Sequence, residues 1–381
     1  MSNIRRRQFL QLPALMLGQA PAQTGIRLGF DSYSIRDLRW KAPRLLEYAA
    51  SLKLDALQIS IPGELESDDP AYLRKLREDA ARLGISLDAA MGSICPESRS
   101  YNPKAGDPVG YLLRGLWLAR ELGARVMRCF VGSPEDRRSG RPVEALIDST
   151  LKVLRSARSQ ALDLGVKIAI ENHGEMQSEE LRSLVEEAGR DLVGVCLDIG
   201  NPVQVLEDPV QTYETLGPYA FTTHVRDSVV WEHPRGVAFQ WVALGDGCMD
   251  LKAMVELHRR LCPQAPVQLE IITGRPPQVL ACWEQDFWKM FPRTRATDFA
   301  RFLRLARRCQ PFQGSMMIAG PGPQPEEFRA ALRRQQQYDL ERSLEYAKQK
   351  LGLGIRWREA GGKAGSARQD AAVIPSAGGR T

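Results

Sequence analysis

Four residues stand at the ends of successive apolar, strand-like runs: Glu171 in KIAIEN, Asp198 in VGVCLD, His224 in AFTTH and Glu270 in PVQLEI. They are 27, 26 and 46 residues apart (198−171, 224−198, 270−224), and helix-like segments fill most of each interval. In a parallel β/α barrel the carboxyl ends of neighbouring strands converge on one rim. Three carboxylates and an imidazole gathered there would repel unless a divalent cation sat between them. Two Glu, one Asp and one His form a hard, mostly anionic donor set. It suits a divalent ion, Mn²⁺ or Mg²⁺, with Zn²⁺ or Co²⁺ admitted by the imidazole.

The neighbours of these residues suit recognition of a polyhydroxylated ligand with a carbonyl. His173 lies two residues past Glu171, on the same side of an extended segment. Asn201 follows Asp198 across Ile199 and Gly200, and Arg226 lies two past His224, with Asp227 next. Arg128, near the end of the fourth strand run, and Tyr33, at the end of the first, are further candidates for binding substrate. Each has a bland alternative: a His173 bonded to backbone, an Asn201 acting as a helix cap, an Arg226–Asp227 surface ion pair. Cys196, flanked by apolar residues, reads as packing, and so does Cys129.

The elements that must position these side chains follow from periodicity. From Gly25 onward, apolar runs of four to eight residues alternate with helix-period segments. The strand candidates are 26–33, 56–61, 86–91, 125–131, 167–171, 193–198, 220–225 and 267–272, near-continuous in Val, Ile, Leu and Ala as strands buried on both faces require. Helical segments at 43–52, 70–83, 108–122 and 143–164 open near Pro and close near Gly. Eight such units over about 250 residues predict an α/β fold, a (β/α)8 TIM barrel. No G-x-G-x-x-G follows any strand, which removes the dinucleotide-binding rival. A short extra pair of strands near 239–244 and a seventh outer helix at 250–261 complete the pattern.

Beyond the barrel (25–309), residues 310–357 read as a Pro/Gly/Met-rich connector and a C-terminal helical extension. Its stripe of Phe328, Leu332, Leu340, Leu344, Ala347 and Leu351 fits docking on the barrel or, in a homo-oligomer, on a second copy. Residues 358–381 are rich in Gly, Ala, Ser and Arg, so disorder is expected. At the other end, 1–24 read as a cleavable export signal: a basic start, a short apolar run from Leu12 to Gly18, and Ala20-Pro21-Ala22. Arg6-Arg7-Gln8-Phe9-Leu10 resembles a twin-arginine (Tat) signal, which implies the Tat translocase as a partner during export and a periplasmic or otherwise exported protein.

The 381 residues carry 52 Lys and Arg against 46 Asp and Glu, and Arg5, Arg6 and Arg7 supply half of the +6 charge. The other cations are scattered among acids, so nothing calls for nucleic acid. No run reaches the about 20 apolar residues of a membrane span, so no stable membrane anchor is expected. Seven cysteines show neither C-x-x-C nor zinc-finger spacing, and no disulfide is announced.

The segments Glu171-Asn-His-Gly, Cys196-Leu-Asp-Ile-Gly-Asn201, His224-Val-Arg-Asp227, Leu244-Gly-Asp-Gly and Leu269-Glu270 resemble the sugar phosphate isomerase/epimerase family, with its xylose-isomerase-like barrel, over roughly 25–274. The resemblance implies that Glu171, Asp198, His224 and Glu270 hold one divalent metal, often Mn²⁺. It also implies that Glu171 and Glu270 pass a proton on and off a carbon beside a carbonyl, through a metal-stabilised enediolate. A small carbohydrate would be the substrate, for epimerisation or isomerisation. The related outcome is a lyase or hydratase reaction on oxidised glycosides, and the alternative without chemistry is an exported carbohydrate-binding barrel. Many members place His three residues after the Asp; here Asn201 stands there. An amide can hydrogen-bond a hydroxyl but does not titrate.

Overall fold

The computed structural model describes residues 25–320 and 322–361. The export-signal reading of 1–24 and the tail beyond 361 lie outside the described residues. Eight parallel strands close a barrel in the order β1-β10-β7-β6-β5-β4-β3-β2. They are β1 (Leu28–Asp31), β2 (Ala56–Ser60), β3 (Ser86–Ser93), β4 (Val126–Phe130), β5 (Lys167–Glu171), β6 (Val193–Asp198), β7 (Ala220–Val225) and β10 (Val267–Leu269). Buried Ile168, Ala169 and Ile170 of β5 show why these strands lack polar alternation: one face fills the barrel while the other meets the helices.

Helix ends follow local chemistry. Asp69 accepts the backbone N–H of Ala71 at 2.7 Å ahead of the helix Pro70–Arg82, and Asp107 that of Gly110 at 2.7 Å ahead of Pro108–Glu121. The 22-residue helix Val143–Leu164 stops at Gly165, whose φ of 71° is the left-handed turn that glycine adopts without strain.

Three elements differ from expectation. The first strand ends at Asp31, so Tyr33 lies in the following 3-10 turn (Ser32–Leu38), and the Asp31 carboxylate caps that turn by accepting the Tyr33 N–H. β10 ends one residue short of Glu270, although the Glu270 N–H still donates to the Val225 carbonyl at 3.0 Å. The extra strand pair is larger than predicted: β8 (Asp227–His233) and β9 (Gly236–Val242) form a hairpin, and β11 (Gln278–Leu280) joins it antiparallel.

The helix Glu326–Gln349 fills the eighth outer position of the barrel. On one side Tyr48 Oη donates to Glu341 at 2.7 Å and Lys348 Nζ to the Leu52 carbonyl at 2.8 Å. On the other, the Leu244 N–H donates to Ser343 Oγ at 3.0 Å and Arg342 pairs with Asp246 at 2.6 Å. Leu340, Leu344 and Ala347 are buried beneath it, so the apolar stripe docks on the barrel itself. At about 1.5–3 kcal/mol for each large side chain buried, that face outweighs the helix's surface ion pairs. The chain then runs back under the barrel, where Gly354 N–H reaches the Ile26 carbonyl at 3.0 Å. The short helix Ile355–Glu359 extends into the stretch expected to be disordered from 358.

One further feature was not legible. Cys248 and Cys309 form a disulfide (Cα–Cα 5.9 Å) between the loop after the hairpin and the end of the helix Ala296–Arg308. The aromatic segment near 287–291 packs with Phe299 as an apolar cap, with Phe287–Phe291 centroids 5.5 Å and Trp288–Phe299 centroids 4.9 Å apart. No helix among the described residues is long and apolar enough to cross a membrane.

Candidate metal centre

The rim formed by β5, β6, β7 and the end of β10 brings Glu171, Asp198, His224 and Glu270 together, all buried. One donor atom from each lies within 4.8 Å of the others. His224 Nδ1 is the hub, 3.5 Å from Glu171 Oε1, 3.9 Å from Asp198 Oδ2 and 3.6 Å from Glu270 Oε2. His224 Nδ1 is buried without a hydrogen-bond partner. An orphaned polar atom of this kind is costly and rare, and it faces the point where a cation would satisfy it. The donor set therefore fits a divalent ion on the structure's own terms.

Arginines neutralise the carboxylates from two sides. Arg128, inside the barrel on β4, pairs with Glu171. Arg226, just past β7, pairs with Glu270, reaches Asp198 Oδ2 at 2.9 Å and donates to Asn201 Oδ1 at 2.8 Å. Burial pushes the Glu171 carboxyl up, but Arg128, then His224 and His173, outweigh it and hold it well below the ordinary range. Asp198 goes the other way: burial, together with Glu171 and Glu270, raises it against the pull of Arg226. Burial pushes the His224 imidazole down, yet the surrounding thiol and carboxylates raise it well above its usual value.

Asn201 ties the rim together, donating to Glu171 Oε1 at 3.1 Å while accepting from Arg226 and from Gln204 Nε2 at 2.9 Å. Its side chain therefore caps no helix. Asp198 Oδ1 accepts from the N–H groups of Gly200 and Asn201, each at 2.7 Å. A Cβ on Gly200 would run into the Arg226 side chain, so glycine is required there for close approach. His173 Nδ1 lies 2.7 Å from the Gly132 carbonyl, which can only accept; Nδ1 therefore carries the proton and Nε2 is left as an acceptor. The same ring stacks on Phe130 (4.4 Å) and lines the pocket. The backbone bond and the place in the pocket, weighed as alternatives for His173, hold together.

Arg226 and Asp227 do not form a surface pair. Both are buried, and Asp227 instead accepts the backbone N–H groups of Ser228, Gly245 and Met249 at 2.9, 3.0 and 3.3 Å. Tyr33 and Arg128 both line the pocket, Tyr33 as a 39% exposed wall at its mouth.

Three contributors escaped the sequence reading. Asp31 lies behind the imidazole, its Oδ2 3.4 Å from His224 Nε2, with Gln58 Nε2 2.5 Å from the same oxygen and in contact with His224 Nε2. This is the carboxylate–histidine support that fixes a ligating ring. Asp31 also ends a strand, but strand-like residues continue past it to Tyr33 and hide that end in the sequence. Trp241 of β9 lies under the Arg226 guanidinium (4.7 Å) and donates from Nε1 to the Gly200 carbonyl at 2.8 Å. Cys196, read as packing, also lies within ligand range of Glu171 and His224. His233 sits at the hairpin tip and does not line the pocket. The cavity over the centre measures about 510 Å³, a volume suited to a small molecule.

Fold and site together define a parallel (β/α)8 barrel with a small-molecule pocket and a cluster of potential metal ligands at the carboxyl ends of its strands. Residues 46–289 match the model of the xylose isomerase-like TIM barrel family, and the chain belongs to that family. It is 25% identical over 221 residues to 3-oxo-isoapionate decarboxylase of Pectobacterium atrosepticum, spanning 58% of this chain and 72% of that protein. Its fold is similar to the crystal structure of a D-psicose 3-epimerase in the presence of D-fructose, with TM-score 0.54, 18% identity and coverage of 85% and 98% of the two chains. It is also similar to that of the IolI protein with a bound zinc atom, with TM-score 0.51, 16% identity and coverage of 75% and 100%.

Proposed function

We propose that the chain is a divalent-metal-dependent enzyme of the isomerase/epimerase type, acting on a sugar or sugar-derived carbonyl compound by proton transfer beside the carbonyl. The observation that carries this reading is the convergence of three buried carboxylates on the unpartnered His224 Nδ1. A divalent ion held by Glu171, Asp198, His224 and Glu270, Mn²⁺ by the combination of carboxylates with an imidazole, would polarise a substrate carbonyl and acidify the adjoining C–H. One of the two glutamates removes that proton, and the electron pair moves to the carbonyl oxygen to give an enediolate. The other glutamate returns a proton to the same carbon for epimerisation, or to the former carbonyl carbon for isomerisation. His173 Nε2 accepts from a substrate hydroxyl, and Trp241 offers an amphipathic wall.

The similarity to a decarboxylase favours a second reading, in which the same electron sink is filled by breaking a C–C bond and the reaction is a lyase. An exported protein is part of the proposal, supported by the N-terminal pattern of basic and apolar residues and by the Cys248–Cys309 disulfide, a bond that persists in oxidising compartments.

The test is solvent exchange. Mn²⁺-loaded protein is incubated in ²H₂O with a panel of aldoses, ketoses and 3-oxo sugar acids, and Glu270→Gln is compared with wild type. Deuterium enters a carbon next to the carbonyl in wild type and falls by about 100-fold or more in Glu270→Gln. Exchange that survives the substitution would remove Glu270 from proton transfer, and carbon dioxide release without exchange into the substrate would favour the lyase.

A further inference from the structure

The metal pocket continues past its mouth. Through Arg275 and Pro276 it shares a wall with a second cavity of about 830 Å³, between the turn after β1, the loop after β10 and the start of the helix Glu326–Gln349. Five arginines line that groove against two carboxylates, Asp37 and Glu326, a surplus of three positive charges. Glu326 is taken by Arg329 (2.7 Å) and Arg333 (2.5 Å), and Asp37 accepts from Gln336 Nε2 at 2.6 Å. Arg36, Arg39 and Arg275 then remain without a carboxylate partner among the described residues.

Their placement is specific. Arg36 is fixed by the carbonyls of Tyr33 (3.2 Å) and Thr273 (2.9 Å), which orient the guanidinium without neutralising it. Arg39 occupies a left-handed backbone position (φ 52°) where Gly or Asn is usual. Arg275 stands on the shared rim, exposed to both cavities. A concave wall of one sign concentrates oppositely charged solutes, and guanidinium forks match carboxylate and phosphate geometry.

We propose that this groove takes an anionic group of the substrate. The ligand is an acidic carbohydrate derivative whose carbonyl end lies at the metal centre and whose carboxylate or phosphate lies against Arg275, Arg36 and Arg39. The inference rests on the reading of the first pocket as a sugar-carbonyl site and adds the charge and reach of the molecule bound there.

The experiment is calorimetric titration of the Mn²⁺-loaded full chain with D-glucose, D-glucuronate and D-glucose 6-phosphate at low ionic strength. At least one charged probe binds about tenfold or more tightly than glucose, and the advantage shrinks as salt is raised. The tighter of the two acids identifies the group as carboxylate or phosphate. In the double variant Arg39→Glu, Arg275→Glu the preference disappears, while Mn²⁺ stoichiometry and melting temperature stay at wild-type values. Equal affinity for neutral and charged probes, a preference that survives the double variant, or no binding of either acid at millimolar concentration would each overturn the proposal. Anion preference without proton exchange would refute the sugar-carbonyl chemistry and keep the groove. Exchange on neutral sugars without anion preference would do the reverse.

Discussion

At the scale of single residues, the centre is an electrostatic compromise. Three buried carboxylates are tolerable only because Arg128 and Arg226 reach them from either side, and the unpartnered His224 Nδ1 marks what the arginines leave unsatisfied. Asp31 belongs to this compromise as a positioning residue, since it faces the imidazole nitrogen that a metal would not use. Asp31→Asn is expected to weaken Mn²⁺ binding by about 10–100-fold without unfolding the protein, read by competition against a metallochromic chelator. Gly200→Ala should displace Arg226 and lower the melting temperature, because an added methyl meets a buried side chain that cannot retreat. The four ligand candidates were legible because each ends an apolar run with a charged or imidazole side chain. Asp31 was not, since apparent strand propensity carried the first run two residues too far. Gln58 was not either, because a polar side chain in mid-strand, turned inward, has no periodic signature.

At the scale of elements, buried carboxylates lock loops to helices. Glu207 accepts from the Ser178 N–H (2.9 Å) and lies 3.2 Å from Thr212 Oγ1, joining the helices Ser178–Ala188 and Pro209–Leu216. Burial pushes its carboxyl up from 4.5 to about 7, against the pull of the Ser178 and Thr212 donors. A carboxyl raised in the folded state binds its proton there while the unfolded chain has released it. Its contribution is therefore complete below about pH 4.5 and is lost as pH rises through about 7. Glu207→Gln should flatten the fall in melting temperature between those two values, whereas an unchanged slope would assign that fall to other groups. Leu340→Ala in the eighth outer helix should cost about 2–5 kcal/mol in denaturant unfolding, the price of a core cavity; a cost near zero would mean an appendage. That helix was legible as a helix but not as part of the barrel. The connection from β10 to it runs through a third strand of the hairpin sheet and a further helix, far longer than an ordinary βα loop.

At the scale of the whole molecule, the barrel supplies convergence and its insertions supply the pocket. β9 brings Trp241 under Arg226, the loop after β10 carries Arg275, and the Cys248–Cys309 disulfide ties the hairpin's exit to the helix Ala296–Arg308. Reducing that bond, or Cys309→Ser, should lower stability by about 2–4 kcal/mol, read as a drop in melting temperature on adding dithiothreitol. The alternation of strands and helices made the barrel legible from the chain alone. The disulfide and the tryptophan wall were hidden because both depend on contacts between segments whose spacing carries no pattern.

The central claim is that four strand-end residues form one divalent-metal site. Its most direct test is a Mn²⁺ binding isotherm followed by the electron paramagnetic resonance signal of free Mn²⁺, on wild type and on His224→Asn, with circular dichroism confirming the fold of each. Wild type is expected to bind one ion per chain, and His224→Asn to lose that site. A folded wild-type protein that binds no Mn²⁺, Zn²⁺ or Co²⁺, or a His224→Asn variant that binds Mn²⁺ as tightly as wild type, would contradict it.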